Sequence, residues 1–306
     1  EYAQWKKNYY EDMIKYSGWT NPATGKAEIP EEYQNPEKYG KGTDWFDMIT
    51  RDALIQNYSV TVNSGNDKLR ATVVSSYTNQ EVVLKNTGYE RFNFRVNAEY
   101  HLSKSIRFGV NMAPSYRVHK NHSTEGSWNI IESAFYAPPI LPFHNEDGSY
   151  PELLQAFGSL PQPLPYTLCM KRVHVYKGTR ILRNAFAEFD FWNGFTWRST
   201  INIDTESNNH RTYTPKEAAG GINSIGTKSS GTYQTGFATT WLTEHTLNYS
   251  NTFGNHNLDV LGGFTAQKYR WEGVGLYGEN YSNDYPWLNQ AQTTKMDPNG
   301  SNTPTA

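Results

Sequence analysis

The sequence predicts an all-β protein: an antiparallel transmembrane β-barrel with short turns at one end of its strands and long loops at the other. Three observations carry that expectation. Period-2 alternation recurs along most of the chain, the connections sort by length, and aromatic residues gather beside a tight turn. The alternation is cleanest from Phe92 to Val118, FNFRVNAEYHLSKSIRFGVNMAPSYRV. Successive strand side chains point to opposite faces. Phe92, Phe94, Val96, Ala98, Tyr100 and Leu102 therefore share one face, and Asn93, Arg95, Asn97, Glu99 and His101 the other. After a turn, Ile106, Phe108, Val110, Met112, Pro114 and Tyr116 alternate with Arg107, Asn111, Ser115 and Arg117. Each run is close to the ~9–11 residues that carry a tilted strand across a bilayer's hydrocarbon layer. A soluble sheet over a core alternates in the same way, so this hairpin alone does not choose between them.

Composition narrows the class. The 306 residues suffice for two ordinary domains or one large all-β domain. Only 37% are hydrophobic, 15% are aromatic, and mean hydropathy is −0.75. That profile suits a sheet with one thin apolar face and another that meets water or sugar. A net charge of −2 offers no basic field for nucleic acid. Cys169 is the lone cysteine, which excludes an internal disulfide framework and gives no metal-ligand spacing; it reads as a buried, idle thiol. No apolar run approaches the ~18–20 residues of a membrane helix. The chain opens without a signal-peptide pattern and ends on the polar SNTPTA, as expected of a mature form or an excised piece.

In chain order, residues 1–56 precede the strands. Tyr2, Trp5, Tyr9 and Met13 recur at helical spacing before Gly18, and read as the face that docks a helix on the protein. A loop rich in Pro, Glu and Gly follows, and Asp44 reads as the N-cap of a short helix in TDWFDMIT. Strand pattern begins at Asn57, with Tyr58, Val60 and Val62, turns at SGNDK, and continues through Leu69, Ala71, Val73 and Tyr77. The Phe92–Val118 hairpin is next. An irregular, Pro- and aromatic-rich segment spans about 120–178. Alternation resumes at Ile181; Asn193-Gly194 is a strong hairpin signal, and Phe195, Trp197, Ser199, Ile201 and Ile203 follow it. A polar, Gly-rich loop is expected at 206–236, then a last hairpin turning at GNHN, and an irregular, truncated loop over 273–306.

The expected total is eight strands in four hairpins across 57–272. All four hairpin turns are tight and lie at one end, whereas the connections at the other run from about ten to nearly sixty residues. Long loops without secondary structure are normally functional. Outer-membrane barrels sort their connections this way, with short periplasmic turns and long extracellular loops, and a β-sandwich has no reason to. Phe191, Trp192, Phe195 and Trp197 flank one tight turn, as an interfacial girdle would.

The wording of several stretches is itself informative. TDWFDMITRDALIQNYSVTVNSGNDKLRATVVSSY, NTGYERFNFRVN, APPILPFHNEDGSY and TFGNHNLDVLGGFTAQ resemble, in this order, the early barrel of the SusC/RagA family of TonB-linked outer-membrane transporters. The resemblance covers most of the chain. It implies a larger parent with a plug domain and a 22-strand barrel, of which this chain would be an internal piece without plug, TonB-contacting segment or closing strand. Such a piece is expected neither to close into its own barrel nor to fold stably alone, since its first and last strands would be open edges.

The resemblance further implies import of glycans, in some cases peptides, under a SusD-like surface lipoprotein, with energy from the TonB complex acting through the absent plug. Arg95, Glu99, Arg107, Arg117, Arg198 and Asp204 would then face the lumen. Phe94, Val96, Val110, Phe189, Ile201, Leu247 and Val260 would face outer-membrane lipid. In the 120–178 loop, Trp128, Phe135, Tyr136, Phe143 and Tyr150, beside Asn129, Asn145 and Asp147, pair aromatic faces with polar groups and are the candidate ligand contacts. No catalytic motif stands out: HExxH, GxSxG, the P-loop and CxxC are all missing from the sequence, and Glu146-Asp147 sits on a DG turn. His119 and His122 form one weak pair in HKNH, and no cofactor is expected. Two other readings compete: a soluble carbohydrate-binding β-sandwich, which would bury its apolar rows, and a barrel enzyme, which would need a Ser/His pair or converging carboxylates.

Overall fold

The structure, a computed structural model, describes residues 1–122, 129–149, 151, 164–192, 194–218, 220–221, 224–225, 228–282 and 291–296. Strands dominate it: β1 Ile55–Gly65, β2 Leu69–Glu81, β3 Gly88–Ser103, β4 Ile106–Lys120, β5 Val173–Phe191 and β6 Phe195–Thr214. After the two-residue strands β7 Gly220–Gly221 and β8 Ser224–Ile225 come β9 Ser230–Phe253, β10 His256–Tyr281 and β11 Ala291–Met296. Nine of them form one sheet in the order β1-β2-β3-β4-β5-β6-β9-β10-β11, every neighbour antiparallel; β7 and β8 pair separately. Among the described residues the sheet does not close on itself.

Turn chemistry sets the register. Asn66 Oδ1 accepts hydrogen bonds from the backbone N–H groups of Lys68 and Leu69 at the β1–β2 turn. Gly194, in the β5–β6 turn, has φ 87°, and a Cβ there would overlap the Ser250 carbonyl, so no other residue fits. The Asn193 half of that dipeptide lies outside the described residues. The sequence expectation is corrected at the loop end. Val82–Thr87 is a short connection. The loop expected at 206–236 is largely strand, because β6 runs to Thr214 and β9 starts at Ser230. Likewise 273–306 is not simply irregular: β10 continues to Tyr281 and β11 adds a ninth strand.

One face of the sheet is apolar. The register aligns Tyr58, Tyr77, Phe92 and Tyr116 in one row near the loop end. Phe189 and Trp197 stack 5.4 Å apart near the turn end, where Phe195 meets Phe191 at 5.9 Å and Tyr249 at 4.5 Å. Between these belts lie Val60, Val73, Val96, Val110, Ala185 and Ile201. On β3 the belts are roughly eight residues apart, about 20 Å of height for a strand tilted ~40°, close to the ~25 Å apolar band of a barrel. Arg183 shares this face, level with Met112 and Ile203, and its guanidinium reaches toward the loop end, donating to Thr205 Oγ1 at 3.4 Å. The outward row of β10 turns polar at Lys268, Arg270 and Glu272, so the long β9–β10 hairpin projects beyond the band.

Strand side chains contribute almost nothing to the buried core. Of the buried hydrophobic residues, Tyr213 alone lies on a strand among the described residues. The core instead sits in a cap at the loop end, built from α1 Tyr2–Ser17, α2 Glu31–Gln34, α3 Trp45–Ile49, α4 Ile130–Tyr136 and α5 Pro165–Lys171. Trp45, Ile49, Ile130, Ala134, Leu141, Leu164, Leu168 and Cys169 pack together there. Asp44 caps α3, its Oδ1 accepting from the N–H groups of Phe46 and Asp47 at 3.0 and 3.1 Å. Trp45 Nε1 donates to the Pro138 carbonyl at 3.1 Å, which ties the first segment to the third loop. On α1 the expected docking face is only half right. Ala3 is buried with Tyr33 and Ile140, and Tyr2 and Tyr10 pack on them, but Trp5 and Tyr9 stack on each other on the exposed side.

Candidate functional site

The second face of the sheet is polar, and it is here that charged side chains converge. The register places Arg95, Glu99, Arg107, Arg117, Arg198 and Asp204 all on this face. Four of them, Arg107, Arg117, Arg198 and Asp204, belong to two networks, and Glu99 pairs with His101 at 2.7 Å instead. Near the turn end, Arg107 is paired with Glu188 and lies 3.2 Å from Asp190; Arg198 holds Glu188 from the other side at 3.1 Å. Thr196 Oγ1 donates to Asp190 at 2.7 Å. Arg198 also lies 4.0 Å over the ring of Phe186, a cation–π contact, and that ring packs against Gly109, where any Cβ would overlap it.

Higher on the wall, Arg180 grips Asp204 through Nε and Nη2, with contacts of 3.1 and 2.6 Å, and Arg117 reaches Glu206 at 2.9 Å and Asn208 at 3.3 Å. Between the networks runs an amide ladder: Asn111 donates to Asn184 at 2.9 Å, and Asn184 to Asn202 at 2.6 Å. Arg91, Asn93 and Arg95 follow one another on the same face of β3, and with Ser76, Ser115 and Arg180 they line a concavity of about 380 Å³.

At the loop end of this face is a row that reading the sequence as separate motifs missed: Tyr89, His119, Tyr176 and His210, side by side on β3 to β6. Tyr176 and His210 stack at 3.8 Å with planes 3° apart, and His174 lies 4.8 Å from His210. The signal was present, since each residue falls on the polar parity of its strand, but only the pairing register brings the four together. His122 lies above them, in the connection between β4 and β5. Burial pushes its imidazole down to about 4; its hydrogen bond to the Cys169 backbone opposes this, and His174 and Arg172 add to it. No group of three or more metal-ligating side chains converges among the described residues.

The loop candidates scatter. Phe135 and Tyr136 are exposed on α4, and Phe135 meets Phe46 edge-on at 4.9 Å. Phe143 instead packs against the cap core and meets Tyr166 at 4.7 Å. Asn129 caps α4 through its side chain, accepting from the Glu132 N–H. Asn145 and Asp147 close a turn on Ser149: Asn145 Nδ2 donates to Ser149 Oγ, and Asp147 Oδ1 accepts from the Ser149 N–H at 2.9 Å. Hydrogen bonds from Ser149 hold the Asp147 carboxyl below its usual range. Trp128 and Tyr150 lie outside the described residues. Cys169 is buried, its Sγ 3.1 Å from the Lys85 carbonyl, and burial pushes its thiol up to about 11.

An open antiparallel wall with one apolar, aromatic-belted face and one charged face defines the class: a barrel wall of the outer-membrane type. No family model matches the sequence. Individual relatives do. The chain is 28% identical over 249 residues to TonB-dependent receptor P3 of Formosa agariphila, covering 78% of this chain and 24% of that protein. It is 26% identical over 283 residues to TonB-dependent receptor P26 of the same organism, covering 91% and 27%. Among solved structures, the RagAB peptide transporter aligns with 94% of this chain and 35% of its own at a TM-score of 0.70 and 15% identity. The RagAB peptide importer in its closed-closed state aligns with 84% and 30% at 0.67 and 14%. The chain thus spans about a quarter of the curated relatives it matches. Within the barrel class the chain is SusC/RagA-like: similar in sequence to TonB-dependent receptors and in fold to the RagAB transporter.

Proposed function

We propose that this chain forms part of the wall and surface cap of an outer-membrane transporter that imports oligosaccharides, powered by TonB through a plug outside these residues. The helical cap faces outward and meets a SusD-like lipoprotein, and the polar face lines the lumen. The observation that carries the reading is the exposure of the apolar face. Val110, Ile201 and Val260 are each more than half exposed, between two aromatic belts. An apolar surface of this extent on a soluble protein would be buried or would aggregate, whereas in a bilayer it is the ordinary solvent-facing side. For the same reason the soluble sandwich loses: its core would consist of these very rows. The support for a transporter rather than a barrel enzyme is that the relatives are named as receptors.

The test is fractionation of native cells with an antibody to residues 129–149. The expected result is a band more than three times the 35.0 kDa of this chain, in the outer membrane, trimmed by protease added to intact cells. A soluble band near the size of the chain alone would contradict the proposal.

A further inference from the structure

We infer that Arg91 and Arg95 form an anion-binding subsite on the lumen wall that selects acidic oligosaccharides, those carrying uronate or sulfate groups; this rests on the transporter reading above. On this face the arginines of β4, β5 and β6 are matched: Arg107 by Glu188 and Asp190, Arg198 by Glu188, Arg117 by Glu206, Arg180 by Asp204. Arg91 and Arg95 are exposed, and neither makes an ion pair or side-chain hydrogen bond among the described residues. Arg91 also stands directly opposite Arg117, with Thr78 on its other side. Like charges in direct cross-strand register destabilise a sheet. A wall that keeps this arrangement where an acid would relieve it leaves room for an anion from outside.

The surroundings specify what kind. The 380 Å³ concavity holding both arginines is lined by a third, Arg180, and by no carboxylate. Asn93 stands between the two on β3, with Nδ2 on Ser76 Oγ at 3.2 Å, and Ser115 faces it from β4. Amide and hydroxyl groups at this spacing suit ring hydroxyls, and guanidinium forks suit carboxylate or sulfate. Next toward the loop end, the Tyr89–His119–Tyr176–His210 row supplies an aromatic surface beside Arg91. Arg91 and Arg95 are about 13 Å apart along the strand, so they meet charges on non-adjacent sugar units. A concave wall of one charge sign also draws anionic ligand in and makes binding salt-dependent. The mixture of aromatic, amide and hydroxyl groups favours an acidic glycan over an acidic peptide, which would need partners for its backbone.

The experiment uses the full-length transporter with its surface lipoprotein, purified in detergent, and its Arg91→Gln and Arg95→Gln variants. Titration with an oligogalacturonate, its methyl ester and an oligoglutamate of equal charge reads the site. The expected result is preference for the oligogalacturonate, lost by roughly tenfold in each variant and weakened by salt. Binding of the ester should be weaker and unchanged by either substitution. Heat-modifiable mobility on gels confirms that the variants are folded. Variants that bind like the parent, an ester that binds as well as the acid, or a stronger preference for the oligoglutamate would each overturn the inference. If the parent protein sits in the outer membrane and imports nutrient while the variants are indistinguishable from it, the subsite alone fails. If the parent is not in that membrane, the transporter reading fails first.

Discussion

Three side chains make the account testable one residue at a time. The Phe186 ring rests on Gly109 and under Arg198, so Gly109→Val must push it off the wall. Overpacking of this kind costs ~1–3 kcal/mol, and the urea midpoint of the detergent-solubilised protein should fall accordingly. Cys169, with its thiol raised by burial, should resist maleimide at pH 8 in the folded protein and react once the cap is unfolded. His122 sets a pH dependence. Its folded value of about 4 lies below the ordinary 6.5, so the unfolded cap binds the proton first. Stability is therefore complete above about pH 6.5 and declines as pH falls toward 4, by on the order of 3 kcal/mol. Limited proteolysis of the 129–172 segment at pH 7.5 and pH 5 reads this directly, with faster cleavage expected at pH 5. At this scale the sequence was least legible. Phe143, Asn145 and Asp147 read from the sequence as ligand groups; that the first packs against the cap and the other two close a turn is set by partners such as Tyr166 and Ser149, which the sequence does not announce.

Elements were far more legible, and the reason is periodicity. From Phe92 to Leu102 on β3 and from Ile106 to Val118 on β4 every outward residue is apolar and every inward one polar or small, a pattern that survives without knowledge of any partner strand. Asp44 was legible for a similar reason, since an N-cap acts within one turn; Asp44→Ala should cost the cap about 1 kcal/mol, measured as a lower midpoint for loss of its protease protection. The ends of β6, β9 and β10 were not legible. Beyond the apolar band both faces of a strand meet water or other loops, so residues 206–214 of β6, 230–236 of β9 and 273–281 of β10 read as loop. The substitution that belongs to this scale is Val96→Arg. In the middle of a lipid-facing strand it should cost ~2–4 kcal/mol and leave a folded protein, read as a lowered urea midpoint in vesicles. Loss of all folded protein would instead point to a buried core position.

At the scale of the molecule, what could be read was the arrangement of turns; what could not was the cap. Its key contacts, such as Trp45 with the Pro138 carbonyl and Cys169 with the Lys85 carbonyl, join segments far apart in sequence and carry no periodic signal. The opposition of Arg91 and Arg117 was invisible for the same reason, since it depends on register. The central claim is that the apolar rows meet lipid and the polar rows meet a water-filled interior. The most direct measurement places nitroxide labels, one at a time, at Val96, Asn97, Val110 and Asn111 of the full-length protein in vesicles. The account predicts a period of two: high collision rates with oxygen at Val96 and Val110, and with a water-soluble nickel chelate at Asn97 and Asn111. Labels at Val96 and Val110 that collide with neither reagent would mean that the apolar face is a protein core, and would contradict it.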